Sequence, residues 1–201
     1  MAPRPPFRSA PCSRPSSPGL PATPDRARLH DAAIRHLARY ATTSANLLRV
    51  LSRRIDRWSR ATQPEPDAVA AARQAARDVL AAMVAAGLID DNAFAAMRAK
   101  SLTRAGRSRR AITAHLSQRG IDGDTLRAAL PEITDAELAA ALLLARKRRL
   151  GPFAATPMDA DSRHRSLGIL ARAGFTRDTA CQALAMDLPS AEARITRLRS
   201  E

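Results

Sequence analysis

Beyond Pro24, apolar residues recur at intervals of three and four, the spacing that lays a single stripe along a helix. Leu29, Ala33, Leu37 and Tyr40 predict a helix over about 25–41, and Leu47, Leu51, Ile55 and Trp58 a second over 44–59. Val69, Ala72, Ala76, Val79, Leu80 and Met83 predict a third over 67–86, ended by Gly87. Asp90-Asp91 opens a fourth, which displays Phe94, Met97 and Ser101 and stops at Gly106. Ser108 caps a fifth built on Ile112 and Leu116; Gly120 stops it, and Asp122 or Asp124 caps a sixth. Thr134-Asp-Ala-Glu137 has the form of a capping box opening a seventh, and Pro157, Gly174 and Thr176 bound an eighth and a ninth. Alanine, leucine and arginine dominate and β-branched runs are absent, so every element reads as helix.

Aligned on the caps Thr43, Ser108, Asp122 and Thr176, the corners between helices resemble one another. Six residues before each cap stands a leucine: Leu37, Leu102, Leu116 and Leu170. Gly106, Gly120 and Gly174 lie two residues before the last three caps. Any two capped amphipathic helices meeting at a turn share some of these marks, but the pairing of glycine with cap points to a repeat. The expected fold is all-α, an elongated, curved array in which each unit touches mainly its neighbours.

Charge changes the picture next. The 201 residues carry 33 basic and 19 acidic side chains, a net charge of +14 that favours a polyanionic partner and says nothing about fold. Residues 1–62 hold 12 of the basic and 3 of the acidic groups; residues 90–130 hold 8 and 4. The first 24 residues contain eight prolines and no acid, and are expected to form a disordered tail rather than a signal or transit peptide. No apolar run approaches the ~18 residues of a membrane span. Cys12 and Cys181 lack a CxxC partner or histidine spacing, which argues against a disulfide framework or zinc and for a reducing, cytoplasmic setting.

Candidate chemistry is thin. His30, His36, His115 and His164 form no metal-binding pair, Asp90-Asp91 serves a helix start, and no glycine-rich phosphate loop exists. The expectation is therefore no enzyme, no metal and no cofactor. Six aromatic residues, set on apolar positions or corners, do not make a base-stacking platform. Two basic runs remain: Arg104, Arg107, Arg109, Arg110 and Arg119 about the fifth helix, and Arg146, Lys147, Arg148 and Arg149 closing the seventh. Cations at a helix C-terminus already offset the dipole, and a solvated face explains either run equally well. Their recurrence beside several corners favours a surface for acidic protein or phosphate. The caps Asp90, Asp91, Ser108, Asp122, Thr134 and Thr176 are read as structural.

The segment GLIDDNAFAAMRAKSLTRAGRSRRAITAHLSQRGI, 87–121, resembles the RecX regulatory proteins of bacteria. The likeness rests on Ile89-Asp90-Asp91, Phe94-Ala95, Arg98 and Lys100, Gly106-Arg107-Ser108, Leu116 and Arg119-Gly120-Ile121. Leu37-Ala-Arg with Ser44-x-x-Leu47, and Leu170 with Gly174-Phe175, extend it more loosely across about 25–186. Met97-Arg98-Ala99-Lys100 departs from the aromatic and arginine residues often found after the Phe-Ala pair.

The resemblance implies three tandem three-helix modules, at 25–87, 88–131 and 132–188, followed by a C-terminal tail at 189–201. It also implies a monomeric regulator of the RecA recombinase that binds RecA and its filament on single-stranded DNA. Such a regulator restrains ATP hydrolysis, strand exchange and co-protease activity. Direct contact with nucleic-acid phosphate stays open at this point. So do two alternatives: a helix-turn-helix transcription regulator using the helices either side of Gly120, and a helical scaffold for an acidic protein.

Overall fold

The computed structural model describes residues 22–130 and 134–200. Among these residues the chain is wholly helical. The helices are α1 Arg26–Leu37, α2 Ser44–Thr62, α3 Pro66–Ala85, α4 Asp91–Arg104 and α5 Arg109–Gln118. They continue with α6 Gly123–Ala129, α7 Thr134–Arg148, α8 Ala160–Arg172, α9 Arg177–Ala185 and α10 Leu188–Ser200, and a short 3₁₀ turn spans Gly151–Phe153. The N-terminal tail, and the expected boundary between residues 131 and 132, lie outside the described residues.

The apolar stripes gather into three separate clusters. Leu29, Leu47, Leu51, Ile55, Val79 and Met83 close the first, formed by α1, α2 and α3. Phe94, Ala95, Ile112, Leu116 and Leu126 close the second, from α4, α5 and α6. Leu142, Leu170, Phe175, Leu184 and Ile195 close the third, from α7 to α10. Each fully buried leucine or isoleucine contributes about 1.5–3 kcal/mol, so each small cluster stands on a handful of side chains. Ile89, given to the second module by the sequence, packs instead into the first cluster.

In the third cluster α7 is central, with Leu138 to Leu143 and Ala145 all buried. A helix apolar on every side is one enclosed by neighbours; here they are α8, α9, α10 and the 3₁₀ turn, with α4 reaching in from the second cluster.

Three expectations about elements are corrected. The stretch expected as a tail is helical over its described residues: α10 runs to Ser200 and sends Ala191, Ile195 and Leu198 into the third cluster. Asp187 starts it by accepting the Ser190 N–H at 2.9 Å, and Arg194 bonds Asp135 of α7 at 2.7 Å. The first helix ends at Leu37, because the chain must turn to bring Thr43 to the start of α2; Tyr40 leaves the stripe and is 59% exposed. Met97 and Ser101 face outward, Met97 being 58% exposed, while α4 buries Phe94, Ala95 and Ala99 on a stripe rotated from the expected one.

The four corners also fall into two kinds. Thr43 and Ser108, which start the middle helices of the first two units, are buried. Asp122 and Thr176, which start the third helices of the second and third units, are exposed. Asp122 accepts the Asp124 and Thr125 N–H groups, and Thr176 that of Thr179. Only the buried pair of caps bonds, through its side chains, to another unit.

Candidate functional site

The joints between units are built twice from the same parts. At the first, Thr43 Oγ1 donates to the Arg119 carbonyl at 2.7 Å and accepts the Asn46 N–H at 3.2 Å. At the second, Ser108 Oγ donates to the Ala173 carbonyl at 2.6 Å and accepts the Ala111 N–H at 3.2 Å. A hydroxyl donates and accepts at once, whereas an ionised carboxylate only accepts. This explains why these two caps are Thr and Ser while the caps inside units include Asp25, Asp90, Asp122 and Asp159.

The next N–H in each middle helix is taken by a carboxylate from the following unit. Ser44 N–H donates to Asp91 Oδ1 at 2.9 Å, and Arg109 N–H to Glu137 Oε2 at 2.8 Å. Asp90 alone caps α4, through the Ala93 N–H; Asp91 serves the joint instead of the cap expected of it. Glu137, half of the expected capping box, likewise spends one oxygen on α5, and the Thr134 side chain lies outside the described residues. Burial pushes the Glu137 carboxyl above its ordinary value, partly offset by the Arg109 N–H and charge.

Glycine lets the helix ends approach. Gly120 (φ +83°) follows the Arg119 carbonyl, and a Cβ there would land on that of Ala45. Gly174 (φ +92°) follows Ala173, and a Cβ there would lie 2.6 Å from Ser108 Oγ. The corresponding residue after α2 is Gln63, left-handed at φ 44° and exposed among the described residues. The ends of α8, α5 and α2 thus meet in series, each C-terminus against the next N-terminus, which places opposite ends of the helix dipoles together.

The cations about α5 have two sets of surroundings. Arg104 and Arg109 line a cleft with Lys100, a residue the sequence did not single out for this role. Arg107 and Arg119 lie with Arg98 near His115, whose Nε2 is buried without a protein hydrogen-bond partner. Burial first, then the charges of Arg119, Arg98 and Arg107, hold His115 below its ordinary value. Arg109 and His115 are roughly 120° apart around the α5 axis, either side of the buried Ile112–Leu116 stripe. Arg110 is exposed at the second joint, beside Gly174.

Arg146 is half-buried, while Lys147, Arg148 and Arg149 are exposed at the end of α7. Arg149 (φ 56°) occupies the left-handed position that closes that helix, its N–H on the Arg146 carbonyl and that of Leu150 on the Ala145 carbonyl. Arg49, also passed over in the sequence, reaches the Gln118 carbonyl at 3.4 Å across the first joint. The described residues bring together no group of three metal-ligating side chains, and none of their helices is long and apolar enough to cross a membrane.

Like joints between small helical clusters define a tandem helical-repeat protein. Residues 90–130 match the family model described as the second three-helix domain of RecX. The chain is 39% identical over 151 residues to Regulatory protein RecX of Myxococcus xanthus, covering 74% of this chain and 79% of that protein. It is 33% identical over 192 residues to Regulatory protein RecX of Thermobifida fusca, covering 89% and 95%. The chain belongs to the RecX family of regulatory proteins. Its fold is also that of the RecX crystal structure from Lactobacillus salivarius, with a TM-score of 0.57 at 16% identity over 88% of this chain and 98% of that one. A second RecX crystal structure gives a TM-score of 0.56 at 20% identity, covering 77% and 68%.

Proposed function

We propose that this protein regulates the RecA recombinase by binding RecA and its filament on single-stranded DNA. In this reading it acts as a monomer lying along the filament as an elongated, curved body. It restrains ATP hydrolysis, strand exchange and co-protease activity, and is not itself an enzyme. The observation that carries the reading is the 39% identity to a named RecX regulatory protein over most of both chains. The repeated joints support it, because an array held at each joint by a hydroxyl, a carboxylate and a close helix contact can present a continuous surface to a partner that repeats. The net charge of +14 supports an acidic or phosphate-bearing surface on that partner.

A helix-turn-helix reading using α5 and α6 is less well supported. The helix that would read bases, α6, has seven residues and begins at Asp122 and Asp124. Carboxylates there face the phosphate-rich groove with the wrong sign.

The test is RecA-driven ATP hydrolysis on single-stranded DNA at low salt with stoichiometric protein. The expected result is a depressed rate; an unchanged rate overturns the proposal. Reversing Arg109 and Arg110 to glutamate should weaken inhibition with helicity intact, and full inhibition by that variant removes those two residues from the binding surface.

A further inference from the structure

Where α4, α5 and α6 of the second unit meet α7 and α10 of the third, they enclose an open cleft of about 360 Å³. Its floor is aliphatic, from Ala99, Ile112, Leu130 and Leu198. Its rim carries Lys100 and Arg104, one turn apart on α4, with Arg109 on α5. Lys100 and Arg104 are exposed, Arg109 is half-buried, and among the described residues none of the three takes part in an ion pair. Among the described lining residues the one carboxylate, Glu137, accepts the Arg109 N–H. The cleft is therefore apolar below and cationic above.

We propose that this cleft is the docking site for an acidic amphipathic helix of the protein partner, its apolar face on the floor and its carboxylates against Lys100, Arg104 and Arg109. The inference rests on the RecA reading and goes beyond it, in assigning the contact to a protein segment and to this place.

The lining selects protein over nucleic acid. Among the described residues it holds no aromatic side chain on which a base could stack. An aliphatic floor gains from burying apolar side chains, which a sugar-phosphate backbone does not offer, whereas a helix presents them at three- and four-residue intervals. Acidic residues one turn apart on that helix match the spacing of Lys100 and Arg104. Because Ala136, Glu137 and Leu198 of the third unit complete a lining otherwise drawn from the second, the occupant also bridges the second joint.

The experiment compares full-length wild type with Ala128→Trp, Lys100→Glu/Arg104→Glu and Arg53→Glu/Arg57→Glu, for binding to RecA filaments on single-stranded DNA and to the bare strand. Ala128 is exposed on α6 at the cleft, so the tryptophan fills the space without altering charge or core. Arg53 and Arg57, exposed on α2, measure the effect of the same charge reversal elsewhere. The expected result is a loss of about tenfold or more in filament affinity for Ala128→Trp, with bare-strand affinity unchanged. The Lys100/Arg104 pair should lose clearly more filament affinity than the Arg53/Arg57 pair. Filament binding unchanged in Ala128→Trp, with wild type bound, overturns the cleft but leaves the RecA reading standing. Parallel losses on filament and bare strand overturn it in favour of a nucleic-acid contact. Absence of wild-type binding to the filament overturns both.

Discussion

Ser108 gives its hydroxyl hydrogen to the Ala173 carbonyl at 2.6 Å, and the same oxygen accepts the Ala111 N–H at 3.2 Å. Thr43 stands in the same relation to Arg119 and Asn46, so one side chain caps a helix and ties it to the next unit. Both residues are essentially inaccessible to solvent, which makes an unsatisfied partner costly.

Ser108→Ala removes the cap and leaves the Ala173 carbonyl unpaired, for an expected loss of about 2–4 kcal/mol by combining the two effects. Ser108→Asp separates them, since aspartate caps well but cannot donate when ionised. It should destabilise strongly, whereas Thr176→Asp, at an exposed cap, should change stability by less than about 1 kcal/mol. Urea unfolding followed by circular dichroism checks this; equal tolerance of the two aspartates would refute the dual role of the hydroxyl.

Gly120→Ala combines a left-handed backbone with a steric clash against Ala45. Gly87 shares the backbone conformation at φ +69°, but a Cβ there meets nothing within 4 Å. Gly87→Ala should cost about 1–2 kcal/mol, the left-handed penalty alone, and Gly120→Ala clearly more. Ala45→Gly should recover part of the loss in Gly120→Ala and none in Gly87→Ala, as a double-mutant cycle on melting temperature will show.

His115 is held below its ordinary value by burial and then by Arg119, Arg98 and Arg107. The folded state therefore binds fewer protons than the unfolded state, and stability falls as the pH drops below about 6.5 and through the folded value. The lowered carboxyls of Asp122, Asp159 and Asp187, which accept N–H groups at helix starts, add losses in a more acidic window, as the pH falls through their folded values. Glu137, raised by burial, acts in the opposite sense: its contribution weakens as pH rises from the ordinary glutamate value through the raised one. His115→Gln should lose less stability than wild type between about pH 7.5 and 5.5, measured by urea midpoints; parallel curves would remove His115 as a source of the dependence.

Ile195→Ala tests whether α10 belongs to the core. Ile195 is 1% exposed, and its truncation should cost about 2–5 kcal/mol, visible as a lowered midpoint in chemical denaturation. A change below about 0.5 kcal/mol would mean that α10 is dispensable.

Much of this fold could be read from the sequence because the stripes and stops are local. Leu47, Leu51, Ile55 and Trp58 fix the inner face of α2 wherever it lies, and Gly106, Gly120 and Gly174 end their helices by backbone conformation alone. What failed to show depends on neighbours. The Asp90-Asp91 pair looks like two cap residues, and only the approach of Ser44 from the preceding unit separates their roles. Phe94-Met97-Ser101 fits helical spacing as well as the stripe actually buried, because alanines carry little hydrophobic signal and α4 buries two of them. Composition is enough to reveal the cations, but their division between the Arg104–Arg109 cleft and the surroundings of His115 depends on how α5 is rotated between its neighbours. Lys100 stands one turn before Arg104, and that spacing is the signal in the sequence that could place both on one rim.

Gln63 carries a consequence for assembly. A helical array whose two faces fit each other invites endless head-to-tail growth, the geometry that yields fibres. Here the far end of α2 bears a side chain where Gly120 and Gly174 leave room, so an incoming helix start, from this chain or from a second copy, meets a Cβ in place of a gap. The joint used twice inside the molecule thus finds, at its outer edge, a side chain in the left-handed position where it elsewhere has glycine.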